Sequence, residues 1–139
     1  MKKFDNLDSL FTHIQKDIQD TLNNEVAREV KETMSESVKS SVYDVYDPIS
    51  YSRRFGKGGL MCKDNMKHIV KGDKLTVTNE TPLDNQRTDY SLTGIIVYGK
   101  GRQPFPRDFI GDTKKRLEIT GNHKEALKQG LKGKGYEVK

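Results

Sequence analysis

The sequence predicts an α+β fold: a long N-terminal helix, a small antiparallel sheet based on a β-hairpin, and a C-terminal helix. Three observations support this prediction. The N-terminal part has neither glycine nor proline between Asn6 and Ser41, as expected of one long helix. Apolar and polar residues alternate beside a turn at Gly72, which is typical of a hairpin. Helix-forming residues with regularly spaced apolar positions return near the end of the chain.

Length and composition restrict the protein to a few classes. The 139 residues suffice for one domain, which we divide into a helical arm (1–42), a Tyr/Arg/Gly-rich loop (43–66) and an α+β body (67–139). The single Cys62 excludes an internal disulfide and a cysteine-rich zinc site. No apolar run reaches the roughly 20 residues of a membrane span, and the first residues lack the apolar core of a signal peptide. We therefore expect a soluble protein in a reducing cytoplasm, without membrane, metal or cofactor.

The N-terminal helix carries an apolar stripe with unusual spacing. From Ile14 to Val42 apolar residues recur every four positions, whereas an α-helix has about 3.6 residues per turn, so each step rotates the stripe by about 40°. A straight helix of this length would measure about 54 Å, but a domain of this size is only about 37 Å across. Either the helix bends at Asn23-Asn24 into a two-helix hairpin, or another chain covers the excess apolar surface. We favour the second, which makes these stripe residues candidates for a subunit interface: Ile18, Leu22, Val26, Val30 and Met34.

The middle of the chain is predicted to form a loop followed by a hairpin. Pro48 ends the helix, and the sequence as far as Asn65 is rich in tyrosine, arginine and glycine. Lys67–Val70 and Leu75–Asn79 then form two predicted strands on either side of the turn. A polar loop is expected over residues 81–89.

Helices and loops alternate in the last part of the chain. Ser91–Tyr98 fits a short helix and a third strand equally well, and Gly99–Pro106 is predicted to be a loop. A helix is expected from Asp108 through Ile119, with an interruption at Gly121-Asn122. A further apolar helix face follows at Ala126, Leu127 and Leu131.

The usual catalytic patterns do not occur in the sequence. His13, His68 and His123 have no nucleophile or carboxylate at motif spacing. The stretch Gly56–Gly59 lacks the Lys-Ser or Lys-Thr pair of a phosphate-binding loop. We therefore expect no enzyme activity and assign no catalytic residue.

Nucleic-acid binding is the alternative function. Tyr51, Arg53 and Arg54 interleave aromatic and basic side chains, which suits base stacking and phosphate contact. The net charge is −2 over residues 1–41, +3 over 42–106 and +4 over 107–139, so a basic C-terminal helix would add to such a surface. No helix-turn-helix, RNP or zinc-finger signature accompanies these residues. The uneven distribution of charge along the chain also suits an acidic helix of one subunit packed against the basic body of the next.

Several short motifs stand out along the chain because of their tyrosine, arginine, glycine and proline residues. The first is Tyr43-x-x-Tyr46-x-Pro48-x-x-Tyr51-x-Arg53-Arg54, followed by Gly58-Gly59-Leu60 and Asn65. The others, in chain order, are Leu75-x-Val77-x-Asn79-x-Thr81, Val97-Tyr98-Gly99, Pro104 to Ile110 with Thr113 and Leu117, and Ala126-Leu127-Lys128-x-Gly130-Leu131 with Gly135. Together they cover nearly the whole chain in a consistent order.

The chain thus resembles the tail-completion or head–tail connector family of long-tailed phages. The resemblance implies a small α+β subunit with a long N-terminal helix, made in the host bacterial cytoplasm and assembled in the virion as a homo-oligomeric ring at the neck or tail. It implies other neck or tail proteins as partners, no catalytic residues, and DNA only as a strand that passes through the lumen of the ring. An adaptable, arginine-containing loop suits such an interface, and its candidate residues are Tyr51, Arg53, Arg54, Gly58, Gly59 and Leu60.

Overall fold

One helical rod runs from Leu7 to Tyr43 in the computed structural model, which describes residues 3–44, 59–82, 92–99 and 106–138. The rod consists of α1 (Leu7–Thr21), a π-helical turn (Leu22–Val26), α2 (Ala27–Val38) and a second π turn (Lys39–Tyr43). Leu22 and Ala27, at the junctions, keep right-handed helical backbone angles, so the segments form one continuous helix. Asn6 caps its start, because its side-chain oxygen accepts a hydrogen bond from the Ser9 amide at 2.8 Å.

The two π turns account for the four-residue spacing of the apolar stripe. A π turn closes i→i+5 hydrogen bonds and holds more residues than an α turn, so it compensates for the rotation that the spacing would otherwise produce. The stripe therefore stays on one side of the rod, where its buried members are Leu22, Val26, Met34, Val38 and Val42. The bend predicted at Asn23-Asn24 is wrong, since the first π turn occupies that place. The expectation that another chain covers the stripe is also wrong between Leu22 and Val42, where the chain covers it itself.

The predicted hairpin is confirmed and is the only sheet in the described residues. A short 3-10 turn (Lys63–Asn65) leads into β1 (Met66–Lys71), which pairs antiparallel with β2 (Lys74–Asn79). The turn requires a positive φ of 60° at Gly72, a conformation that glycine adopts without strain. His68 pairs with Val77 and Ile69 with Thr76, so side chains alternate between a face on the rod and a face in solvent.

Three shorter helices follow in the described part of the chain. The segment that fitted a helix or a strand forms a helix, α3 (Leu92–Tyr98). The last part forms α4 (Phe109–Thr120) and α5 (Asn122–Gly133), separated at Gly121 with φ of 65°, so the predicted interruption is confirmed. Asp108 caps α4 by accepting a hydrogen bond from the Gly111 amide at 2.9 Å.

The later elements run antiparallel to the rod. Arg116 in α4 donates to Ser40 at 2.7 Å, whereas Tyr136, just after α5, donates to Asp17 at 2.7 Å. The hairpin lies along another surface of the rod, and its turn reaches Gln19, which donates to the Gly72 carbonyl at 3.0 Å. The rod is therefore the central element on which the hairpin, α4 and α5 pack.

The main core lies at the C-terminal half of the rod. It consists of these buried side chains: Met34, Val38, Val42, Tyr43, Leu60, Met66, Ile96 and Phe109. The opposite end of the rod extends beyond the packed elements, so the side chains of Leu7 and Phe11 stay 67% and 60% exposed. No helix among the described residues has the length and apolar character needed to cross a membrane.

Candidate assembly and anion-binding surfaces

The predicted interface residues of the rod have two different environments. Leu22, Val26 and Met34 are 8%, 5% and 3% exposed, inside the chain's own fold. The prediction that they contact another subunit is therefore wrong, because their apolar surface is already covered. Ile18 and Val30 are half-buried, so each retains some exposed surface.

The predicted loop interface is only partly within the described residues. Tyr51, Arg53, Arg54 and Gly58 lie outside them. Gly59 and Leu60 are buried, and Leu60 belongs to the main core with 2% exposure. The interface role predicted for these two is therefore wrong, since they pack inside the chain.

Asn79, at the end of β2, organises a buried polar network that sequence reasoning did not find. Its amide nitrogen donates to the Leu60 carbonyl at 2.9 Å, and its side-chain oxygen accepts hydrogen bonds from the hydroxyls of Thr81, at 2.5 Å, and Thr93, at 3.0 Å. Thr81 also donates to the Gly59 carbonyl at 3.4 Å. The network thereby joins three segments distant in sequence. The only sign of this network in the sequence was that a polar residue occupies a strand position that faces the core.

The rod tip, residues 4–14, forms an exposed apolar surface with acidic neighbours. Leu7 and Phe11 are the largest exposed apolar side chains of this end. Phe4 folds back so that its ring lies 5.1 Å from that of His13. Asp5 and Asp8 are exposed beside them, and acidic groups are stabilised at a helix N-terminus by its dipole.

The outer face of the hairpin has the opposite charge. Lys67, Ile69 and Lys71 lie on it, opposite Thr78, Thr76 and Lys74 respectively, and all six are exposed. Ile69, 59% exposed, is the apolar residue among them. A single apolar side chain surrounded by three lysines therefore faces solvent.

A basic pocket of about 270 Å³ lies between the first π turn of the rod and the start of the hairpin. Its lining consists of Asn23, Asn24, Ala27, Arg28, Lys31, Lys63 and His68. His68 is held by a 2.8 Å hydrogen bond between its Nε2 and the side-chain oxygen of Asn23. Burial, and secondarily the ammonium of Lys67, lower the pKa of Lys31, while Asp64 acts in the opposite direction.

Asp112 holds Arg116, which connects α4 to the C-terminal half of the rod through its hydrogen bond to Ser40. Its carboxylate accepts a hydrogen bond from Arg116 Nε at 2.7 Å. Burial alone would raise the pKa of Asp112, but the hydrogen bond and the charge of Arg116, together with the nearby side chains of Ser37 and Ser41, lower it. The charged form of Asp112 is thus the one that the folded protein stabilises.

The described residues present no group of three or more His, Cys, Asp or Glu side chains that could hold a metal ion. Two of the three histidines have polar partners: His68 contacts Asn23, and His13 Nε2 lies 3.1 Å from the carboxylate of Asp17. Asp17 also accepts from the hydroxyl of Tyr136, which raises the pKa of that tyrosine. The His13–Asp17–Tyr136 contact fastens the end of the chain to the rod.

Comparison with known proteins assigns the chain to a family. A family model described as YomN matches residues 6–133, nearly the whole chain. No curated protein and no solved structure matches. The family name is that of a phage- or prophage-derived protein of Bacillus, so the resemblance to phage proteins is confirmed at this coarser level. The chain therefore belongs to the YomN family and is a phage-associated protein.

Proposed function

We propose that this protein is a structural component of a tailed phage particle that forms a homo-oligomeric ring at the neck or tail, as a tail-completion or head–tail connector protein. The role is one of assembly and involves no catalysis. Its partners are other copies of the chain and other neck or tail proteins, and DNA passes through the lumen. Membership of a phage-associated family supports the part of this proposal that connects the protein with a phage.

The observation that carries the proposal is the exposed rod tip. Leu7 and Phe11 are more than half exposed, and Tyr136, just after α5, contacts the rod further along, at Asp17. Apolar side chains of this size that the chain leaves uncovered favour contact with a second molecule. Within the rod, the large exposed apolar side chains are thus those of these first turns.

The outer face of the hairpin is the complementary surface for the tip of a neighbouring copy. Ile69 offers an apolar contact for Phe11, and its flanking lysines offer positive charge to Asp5 and Asp8. Opposite charges around a small apolar contact fix which surfaces meet. Tip and outer face are different surfaces, so the contact is head-to-tail and closes into a ring when the rotation between copies permits.

Cysteine cross-linking in particles tests this contact. In the variant Phe11→Cys/Ile69→Cys, mild oxidation should join successive copies into a ladder that ends at one closed size. The native Cys62 is the only other cysteine and is buried. A matched control, Phe11→Cys/Ile119→Cys, places the second thiol on α4, where Ile119 is 85% exposed, and should give no ladder. A ladder that stops at two copies, or none, contradicts the ring.

Analysis of particles tests the position of the protein. Particles purified from an induced lysogen should contain the chain in a fixed copy number, and an antibody should label the junction between head and tail. Deletion of its gene should leave DNA-filled heads and separate tails. If the protein remains in the lysate and particles join normally without it, the proposed function is wrong.

A further inference from the structure

We propose that the basic pocket between the rod and the hairpin binds phosphate oxyanions, with the phosphodiester backbone of nucleic acid as its ligand. The residues that line the pocket lie outside the ring contact proposed above, and the pocket adds a ligand-binding function to it. Lys67 and Lys71, beside the pocket, belong to both surfaces, so nucleic acid and a neighbouring copy compete for these two lysines. It also differs from the loop and the C-terminal helix that the sequence indicated for nucleic acid.

Positive charge exceeds negative charge around the pocket. Arg28 and Lys31 project from the rod, one turn apart, and Lys63 comes from the segment before β1. Lys63 is paired with Glu32. Within the described part of the chain, no carboxylate lies at ion-pair distance from Arg28 or Lys31.

Lys67 increases this excess of positive charge. Its ammonium donates to the Asp64 carbonyl at 2.8 Å, and its charge is close enough to affect Lys31. Asp64 is the nearby acid, and its opposing effect on Lys31 is smaller than that of Lys67. Like charges held together in a partly desolvated place are unfavourable, so a bound anion would lower the free energy of the folded state.

The other lining groups are suited to an oxyanion. Asn23 and Asn24 line the pocket, whose volume of about 270 Å³ has room for a phosphate group. The Asn24 side-chain amide donates one hydrogen bond to the Asp20 carbonyl at 2.7 Å and has a second hydrogen to donate. Arginine pairs with two phosphate oxygens at once, whereas lysine acts as a point charge. Arg28 and Lys31 together therefore fit a phosphate better than they fit a neutral ligand.

Charge outside the pocket favours a polymer of phosphates over a single ion. Lys67 and Lys71 continue the basic surface along the exposed face of β1. A strand rises about 3.3 Å per residue, so these two lysines are about 13 Å apart along it. A chain of phosphodiesters placed in the pocket can continue along this line of lysines, which a free phosphate does not reach.

Two probes distinguish the sources of phosphate. Inorganic phosphate is titrated into the intact protein while the amide NMR signals of Asn23, Asn24 and His68 are followed. A fluorescently labelled DNA duplex is titrated by anisotropy at several salt concentrations. The pocket variant Arg28→Gln/Lys31→Gln is compared with Lys114→Gln/Lys115→Gln, which removes the same charge from exposed positions of α4.

We expect the pocket variant to bind duplex at least about tenfold more weakly. Its plot of log binding constant against log salt concentration should be less steep by about two, because two phosphate contacts are lost. The α4 variant should change affinity less than about threefold, and both variants should keep the unfolding temperature of the parent protein. Phosphate-induced NMR shifts without duplex binding would support the site with free phosphate as the ligand. Equal loss of duplex binding in both variants, or binding of neither probe, overturns the proposal. Ring cross-linking of the pocket variant should persist, so the two proposals can fail separately.

Discussion

Gly130 of α5 lies so close to Thr21 of the rod that a methyl group on it would overlap the Thr21 methyl carbon. Thr21 is fully buried and is fixed by a 2.8 Å hydrogen bond from its hydroxyl to the Asp17 carbonyl. Neither partner has free space, so α5 approaches the rod at this distance only because position 130 is glycine. This contact sets how closely the C-terminal helix packs.

Gly130→Ala should therefore destabilise the protein by about 1–3 kcal/mol, because overpacking outweighs the usual gain of alanine in a helix. Gly133→Ala is the matched control, since a Cβ there meets nothing within 4 Å, and it should be neutral or slightly stabilising. Urea unfolding measures both. If the two substitutions changed stability equally, the close approach at Thr21 would not contribute to the stability of the fold.

Asn79→Ala should cost about 3 kcal/mol of unfolding free energy. The substitution removes the partner of the Leu60 carbonyl and the shared acceptor of Thr81 and Thr93, which leaves buried polar groups unpaired. Thr78→Ala, at the adjacent exposed strand position, should change stability by less than about 0.5 kcal/mol. Thermal and urea unfolding compare them, and a loss below about 1 kcal/mol for Asn79→Ala would contradict the role of the network.

Asp112 should contribute to acid sensitivity. Its pKa is lowered in the folded state, so its stabilising effect is present above the pKa of the unfolded chain and disappears as pH falls through the lower folded value. Asp112→Asn should reduce stability at pH 7 by about 1 kcal/mol or less, because the group is partly exposed. This difference should vanish once the pH is below the lowered pKa of the folded state, where Asp112 is protonated in both states.

Urea unfolding at several pH values provides the test for Asp112. Glu118→Gln, at an exposed position of the same helix, is the control and should give a curve parallel to that of the parent protein. If the unfolding free energies of Asp112→Asn and the parent protein differ by the same amount at every acidic pH, the effect does not come from ionisation of Asp112.

Deletion of Asn24 should be tolerated. It lies exposed in the first π turn, and removing one residue from a π turn restores an α turn while the helices on both sides keep their faces. Deletion of the exposed Glu32 within α2 should instead rotate one part of the rod by about 100° relative to the other. This change should unfold the protein or lower its free energy of unfolding by more than about 3 kcal/mol. Circular dichroism melts distinguish the two, and equal damage would refute the explanation given for the apolar spacing.

The sequence by itself determined the local elements, because their causes are local. The absence of glycine and proline predicted the long helix, alternation predicted the hairpin, and Gly121 marked the break between the last two helices. The motifs also indicated a phage protein, in agreement with the family. Spacing alone did not show how a stripe repeating every four residues could stay on one side, since π turns have no clear signature in the chain.

Tertiary structure alone decided which surfaces are covered and which groups meet. Leu22, Val26 and Met34 are buried because the hairpin, α4 and α5 pack against the rod. The same packing brings Asn79 beside Leu60 and places Arg28 and His68 in one pocket. Residues 40 positions apart become neighbours only through the register of whole elements against each other, and that register depends on the entire core rather than on any local pattern.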